Sequence, residues 1–514
     1  MKQKILLISL VIFASSMFAV PTAYFVSPTG DDLLNTGLSA ESPFLTIKKV
    51  FEVELPTTNA EVLINLAGGT YLTSDIAPIM TRPYKVTILG ESASTTIVQR
   101  STSEPLVNSD FRFFQLQNTS AGFDLTVKNI TIQNFGNRMD KNWAGSVILM
   151  NGAATGVKVA FEQCVFKNNV AARGAIVQSS NASYEIYFDG CYFENCKSFD
   201  FGGTQSSNLE APIFVTGGKL SIKNCVFNNN SKDPLTGTTD RDLKKGSLIT
   251  INPVLARITA ILVNNTFVNN KIPSGKDEAV SIQPVITIAD MSVPKKAFGV
   301  DLTMLNNLFV DNKRASFDND VDLYLDPVDV TQVAVTNNVF NKIITTDQSE
   351  FVSAVTNKIS TALGVNSSEI AFEMESDLPK IQVNGNGVSY VVAKGTEVVG
   401  KGISNSDNSD VPLIDIRNIT RKSTPDIGAT DVLTSSVKTT KIIEGFKILV
   451  NDGMLNVINE NQVDFSVKVT DLTGRVIFAS SVTSKDFNQK IELRGISLIT
   501  IQDAQNTYTQ KVIF

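Results

Sequence analysis

Asn224-Cys225-Val226-Phe227-Asn228-Asn229-Asn230 is one copy of a phrase that returns along the chain. Looser copies run 128–134 (Lys-Asn-Ile-Thr-Ile-Gln-Asn), 163–169 (Gln-Cys-Val-Phe-Lys-Asn-Asn) and 190–196 (Gly-Cys-Tyr-Phe-Glu-Asn-Cys), with more at 264–270, 306–312 and 337–342. Measured at the Phe place, which Ile132 fills in the first copy, they lie 34, 27, 34, 40, 42 and 31 residues apart. A recurrence near that period signals stacked structural units.

Each copy alternates with period two, which predicts a strand with Cys225 and Phe227 on one face and Val226 and Asn228 on the other. The asparagines that follow tolerate left-handed turns. A short strand, an Asn turn and no helical spacing between copies predict one coil of a parallel β-helix, a solenoid that grows by adding coils. Stacked coils put equivalent residues about 4.8 Å apart. Phe166, Phe193, Phe227, Phe267, Phe309 and Phe340 are expected to form an internal stack. Asn134, Asn168, Asn195, Asn229 and Asn269 are expected to form an amide ladder, with Asp311 in the next rung. A β-sandwich with Asn-rich turns would need no fixed repeat.

A chain of 514 residues is too long for one ordinary globular core. A net charge of −6 argues against a nucleic-acid partner and against an anionic membrane surface. Residues 1–19 read as a secretory signal, with Lys2 and Lys4 before the apolar run Ile5 to Ala14. Nothing later supplies 18 consecutive apolar residues, so no transmembrane segment is expected in an exported mature chain. Cys164, Cys191 and Cys225 share one inward place in successive copies, and Cys196 is offset from it. Either a buried thiol stack or a disulfide between neighbouring coils fits that column.

Before the repeats stand the strand and turn of Tyr24 to Asp32, a helix expected over Ser42 to Val50, and Gly68-Gly69-Thr70-Tyr71. After them come Val391 to Gly402, then Arg421 with Pro425-Asp426-Ile427-Gly428-Ala429. In this order the chain resembles the pectate-lyase-like right-handed β-helix proteins of secreted bacterial type. The resemblance implies a cap helix over the open end and structural closure by the last phrase, with Asp426 capping backbone amides. Strings such as Gly174-Ala175-Ile176-Val177 also resemble autotransported β-helix adhesins. A helix is expected over Asp347 to Leu363. From Ile442, the strands around Asp471-Leu472-Thr473-Gly474 and the terminal Gln510 to Phe514 resemble the sorting domain of type IX secretion cargo. That likeness implies a small β-sandwich and the secretion machinery as partner. The organisation expected is thus a signal at 1–19, a capped all-β helix at 20–431, a linker at 432–441 and the sandwich at 442–514.

The chain has no histidine, which removes Ser-His-Asp and Cys-His nucleophilic sites. The pectate-lyase likeness implies one remaining chemistry, calcium-assisted β-elimination, which needs a Lys or Arg base and several carboxylates around Ca²⁺. Read against the phrase register, only Glu162, Asp189 and Glu194 make an acid patch, flanked by Lys167 and Lys223. Such interleaved charges more often form a surface ion-pair ladder. The place just after the Phe and the place just before the phrase both turn apolar from Val263 onward, so loops or the C-terminal part are expected to cover that face. Two insertions, Lys197 to Asn208 (Phe199, Phe201) and Ser231 to Gly246 (Asp240, Arg241, Asp242, Lys244), are expected to project as ligand-binding loops. No metal or cofactor is expected apart from Ca²⁺ in the lyase reading. The leading expectation is an exported or cell-surface protein that binds glycan. A calcium-dependent uronate lyase and an adhesin or surface-coat protein are the alternatives.

Overall fold

The phrase bends twice. In a computed structural model of the chain, Lys158–Glu162, Val165–Lys167 and Val170–Ala171 are short strands separated by the left-handed residues Gln163 (φ 52°) and Asn168 (φ 55°). The same two bends recur at Gly190 and Asn195, Asn224 and Asn229, and Asn264 and Asn269. Asparagine suits these places because its short side chain tolerates the left-handed region. The structure describes residues 22–53, 61–73, 84–100, 112–116, 121–136, 144–200, 211–234, 247–272, 285–289, 298–310, 312–314, 322–325, 332–340, 343–345, 355–359, 371–374, 381–383, 386–388, 391–394, 398–417, 419–431, 441–443, 446–451, 454–459, 463–471, 475–483, 487–490, 496–504 and 507–513.

Strands one coil apart pair parallel and in register. Glu185–Asp189 lies between Lys158–Glu162 and Gly218–Lys223. Past the first bend, Tyr192–Glu194 lies between Val165–Lys167 and Val226–Asn228. Past the second, a five-stranded sheet carries Lys197–Asp200 and Ser231–Pro234, and an eight-stranded sheet returns the chain to the next coil. Parallel pairing on every face, each partner one repeat away, defines a parallel β-helix. The expected loops at Lys197 and Ser231 therefore begin as strands, because those residues continue the register. Of the residues proposed for them, Phe199 lies in the strand Lys197–Asp200, while Phe201, Asp240, Arg241, Asp242 and Lys244 lie outside the described residues.

The helix interior is the main core. Phe166, Phe193, Phe227, Phe267 and Phe309 stack with centroids 4.8, 4.3, 4.7 and 4.5 Å apart and planes within 11°. The cap helix is shorter than the expected Ser42 to Val50 and spans Ile47–Glu52. Asp32 sets its start by accepting from the amides of Leu45 and Thr46 and from Thr46 Oγ1, while Thr46 Oγ1 accepts from Lys49 N. Ile47 and Val50 enter the core, and Phe51 packs edge-on to Phe114.

The continuous amide ladder is displaced by one residue from the expected place. Asn134, Asn168, Asn229 and Asn269 are exposed, because a left-handed residue turns its side chain away from the interior. Asn195 and Asn229 still share one side-chain hydrogen bond. The residue after each bend points inward. Asn230 Nδ2 donates to Phe193 O (3.0 Å) and Asn270 Oδ1 (3.1 Å), and Asn270 Nδ2 donates to Phe227 O (2.9 Å) and Asn312 Oδ1 (2.8 Å). A second ladder follows the first bend, through Asn265, Asn307 and Asn338.

The cysteines stand in these two columns. Cys164, Cys191, Cys196 and Cys225 are free and buried. Cys191 Sγ donates to Phe161 O (3.3 Å) and Cys196 Sγ to Phe166 O (3.6 Å), the bond that Asn Nδ2 makes on later coils. Burial pushes the Cys164 and Cys191 thiols well above their ordinary value and that of Cys196 up to about 12. These thiols stay protonated donors. Cys196→Asn is expected to join Asn169 to Asn230 and to stabilise the chain by about 1 kcal/mol, whereas Cys196→Ala loses a donor and destabilises. Thermal unfolding of the two variants checks this; equal midpoints would show that any small residue serves there.

The covered face exists. Residues 398–431 return along the outside of the coils. Val411 packs on Val263 and Leu305, Ile416 and Ala429 on Val165, Tyr192, Val226 and Val268, and Val398 and Ile427 on Leu308, Val310 and Val339. Left-handed asparagines of the first bend dock the segment: Asn224, Asn264, Asn306 and Asn337 donate to the carbonyls of Ile414, Gly428, Ile403 and Lys401 at 2.8–3.2 Å. Asp426 accepts from Gly400 N at 2.7 Å. The helix expected over Asp347 to Leu363 is not formed where the chain is described. Val355–Ile359 is a strand on Gln332–Phe340, as its β-branched Val355, Thr356 and Ile359 favour.

A second compact unit spans Val432–Phe514. Two four-stranded antiparallel sheets share one core, with Phe446, Leu455 and Val457 from one and Phe465, Val467, Val469, Ile499 and Ile501 from the other. Among the described residues no helix is long and apolar enough to cross a membrane.

Candidate ligand cleft on the outer face of the coils

The first strand of each coil turns alternate residues outward, and register makes them columns. One column alternates in sign: Glu61, Lys85, Asp124, Lys158, Glu185 and Lys219. Within it Lys85 lies 2.9 Å from Glu61, and Lys158 lies 4.0 Å from Glu185. The middle column is small at Thr87, Thr126 and Ala160, rises to Tyr187 and falls again at Ser221. The third column reads Leu89, Lys128, Glu162, Asp189 and Lys223 before turning apolar at Val263.

A cleft of about 290 Å³ opens over Ala160, Tyr187 and Ser221. Glu162, Asp189, Lys219 and Lys223 flank it, and Ile261 and Asp410 close one end. The returning segment thus supplies a wall, since Lys223 Nζ lies 2.9 Å from Asp410 Oδ1. Glu162 pairs with Lys128 at 2.6 Å. The Lys219 ammonium stands 5.1 Å from the centre of the Tyr187 ring, and the Tyr187 hydroxyl donates to Glu185 Oε2. Burial pushes that hydroxyl well above its ordinary value, and the Glu185 carboxylate adds to the shift.

Asp189 makes no ion pair among the described residues and accepts only a long bond, 3.5 Å, from Asn224 Nδ2. Its side chain opens to solvent, yet surrounding protein crowds the carboxyl and raises it above the ordinary range. The bond from Asn224 opposes that shift, the Glu162 charge adds to it, and Lys223 and Arg421 oppose it. The group is therefore a ready acceptor that is incompletely satisfied by the protein.

The four candidate catalytic residues do not converge. Glu162 and Asp189 occupy adjacent coils of the cleft. Lys167 and Glu194 lie past the bend at Gln163 and Gly190, paired with each other at 2.9 Å. Among the described residues no group of three or more His, Cys, Asp or Glu side chains is placed to hold a metal ion. Tyr187 and Lys219 were legible as outward positions of the strand before the phrase, whereas Asp410 lies 187 residues from Lys223 and carries no sequence signal.

A larger concavity, about 460 Å³, lies over the first coils between Pro43, Asn65, Leu89 and Asn129. Its one carboxylate, Glu91, is engaged by Gly68 N at 3.0 Å. The cleft over Tyr187 holds the richer chemistry.

No family model matches the chain, and no curated protein matches it. Two solved structures of the pectin methylesterase from Aspergillus niger, deglycosylated and penultimately deglycosylated, resemble it at 12% identity and a TM-score of 0.20. Each match covers 59% of this chain and 93% of the esterase. At that score the likeness carries no argument, and the parallel β-helix stands on its strand pairing.

Proposed function

We propose that the chain is an exported parallel β-helix that binds a polysaccharide on the outer face of its coils. The single observation that carries this reading is the Tyr187 cleft. There an aromatic ring rises from a floor of small residues between carboxylates and ammonium groups, and the column of Thr87, Thr126 and Ala160 leads into it. An extended sugar chain needs that combination of a flat apolar contact and polar groups at its edges. Export rests on Lys2, Lys4 and the apolar run after them. Display through the secretion machinery rests on the order of strands in the second unit.

Affinity electrophoresis through gels containing neutral, cationic and acidic polysaccharides tests the reading. Retarded migration in at least one gel is the expected result; unretarded migration in all of them overturns it. Calcium-dependent uronate elimination is the second reading, favoured by Glu162 and Asp189 on adjacent coils beside Lys223. It predicts a rise in ultraviolet absorbance on polygalacturonate that a chelator abolishes.

A further inference from the structure

We infer that the left-handed residues of the first bend, one per coil, form at their N-terminal end a docking surface for an extended segment of a partner polypeptide. The precedent is the protein's own returning segment. Asn337 and Asn306, one coil apart, donate at 2.8 Å each to Lys401 O and Ile403 O, two residues apart. Asn306 Oδ1 also accepts from Ile403 N at 2.7 Å, so one carboxamide holds both backbone groups of one residue. Beside these bends Val411 packs on Val263 and Leu305, outward residues at the end of the preceding strand. A left-handed carboxamide next to an outward apolar side chain is thus how these coils take up a polypeptide.

The same arrangement recurs beyond the reach of that segment. The segment turns back through the bridge between Ile414 and Thr420, at the coil of Asn224. Toward the N-terminal end the bends are Gly190, Gln163 and Asn129, with φ of 62°, 52° and 57°. Asn129 and Gln163 are half-buried, and among the described residues neither carboxamide has a hydrogen-bond partner. Gly190 makes room for the Gln163 amide, since a Cβ there would stand 2.0 Å from Nε2. Leu89 belongs to the column that leads to Val263 and Leu305, and it lines the concavity of about 460 Å³ with Phe25, Pro43 and Asn129. The column is therefore apolar at both ends, covered by Val411 at one and open at the other. In an extended chain, groups two residues apart face the same way. Such a chain laid here offers two carbonyls to Asn129 and Gln163, which stand one coil apart as Asn306 and Asn337 do. It also offers an apolar side chain to Leu89 and Phe25. No residue lining this concavity lines the Tyr187 cleft, so the two surfaces can be tested separately.

Selection of a displayed random-peptide library on the full chain, followed by binding of the enriched sequences as free synthetic peptides, tests the inference. Two variants report on the surface. Asn129→Gly copies Gly190 at the same bend and keeps the left-handed backbone, and Leu89→Asn copies its register neighbour Asn65. The enriched peptides are expected to bind about two- to tenfold more weakly to Asn129→Gly, the worth of one hydrogen bond. They are expected to bind at least about tenfold more weakly to Leu89→Asn, which removes apolar contact. Tyr187→Ser is expected to leave their binding unchanged, and the circular dichroism of the sheets should be the same in all three variants. Enrichment of no peptide, or of peptides whose binding ignores both Asn129→Gly and Leu89→Asn, overturns the inference. It is also overturned if Leu89→Asn abolishes self-association of the chain, which makes the occupant a second copy, or relieves retardation in a polysaccharide gel, which makes it a glycan.

Discussion

Arg421→Ala is expected to release the returning segment from the coils at a cost of about 3–5 kcal/mol, the range for removing one partner of a buried ion pair. The Arg421 and Asp431 side chains are each 3% exposed and meet through Nη1 and Oδ1 at 2.5 Å. Arg421 Nη2 also donates to Asn224 Oδ1 (2.8 Å) and to the carbonyls of Gly428 and Ala429 (3.1 Å each). One guanidinium thus ties the start of a coil bend to the end of the segment. Burial opposes both charges, lowering Arg421 and raising Asp431, while the charge of each partner counters the shift of the other. Truncation strands the Asp431 carboxylate beside Asp415 and Asp426. Arg421→Lys does not restore the site, because one ammonium cannot reach the four acceptors that the planar guanidinium spans. The expected readout is an early step in denaturant unfolding. Apolar-dye binding should also rise as Val165, Tyr192, Val226 and Val268 lose cover, while the parallel sheets keep their circular dichroism. A single unshifted transition would show that apolar packing alone holds the segment.

Asn270→Leu is expected to cost about 3–6 kcal/mol, because it removes several bonds from groups that stay buried. Asn270 Oδ1 accepts from Asn230 N (2.9 Å) and Asn230 Nδ2 (3.1 Å), and its own Nδ2 serves Phe227 O and Asn312 Oδ1. Leucine has the same branched shape but meets none of these needs. The loss is local, since each coil of a solenoid contacts only its neighbours. Amide exchange is therefore expected to quicken first around 228–231 and 268–271. Asn270→Cys is expected to fall between wild type and leucine, because a thiol can donate to Phe227 O as Cys196 does to Phe166 O. Equal exchange in all three chains would show that the ladder contributes nothing to holding the coils together.

Much of this architecture was legible in the phrase itself. A period of two places Phe227 beside Cys225, and the repeat length stacks both with their copies. The expected ladder was misplaced by one residue for a physical reason. Parity holds only within a strand, and a left-handed residue such as Asn229 resets it, sending Asn230 inward. The same reset divides the acid patch: Glu162 and Glu194 share an outward sense, but the bend at Gln163 turns their strands to different faces. The apolar drift at Val263 and Leu305 signalled a cover. Its identity as residues 398–431 rests on hydrogen bonds from Asn264 and Asn306 that join positions 97 to 164 residues apart. Tyr187 is legible by the same alternation carried back one strand, because it takes an outward place on Glu185–Asp189, the strand before the phrase.

Lysine footprinting of the full chain with and without a bound polysaccharide tests the ligand cleft most directly. Lys219 and Lys223 should lose reactivity when the sugar is present, and Lys167, past the bend, should keep it. Protection confined to other lysines, or none while the sugar remains bound, would place the ligand elsewhere and contradict the assignment of the Tyr187 cleft.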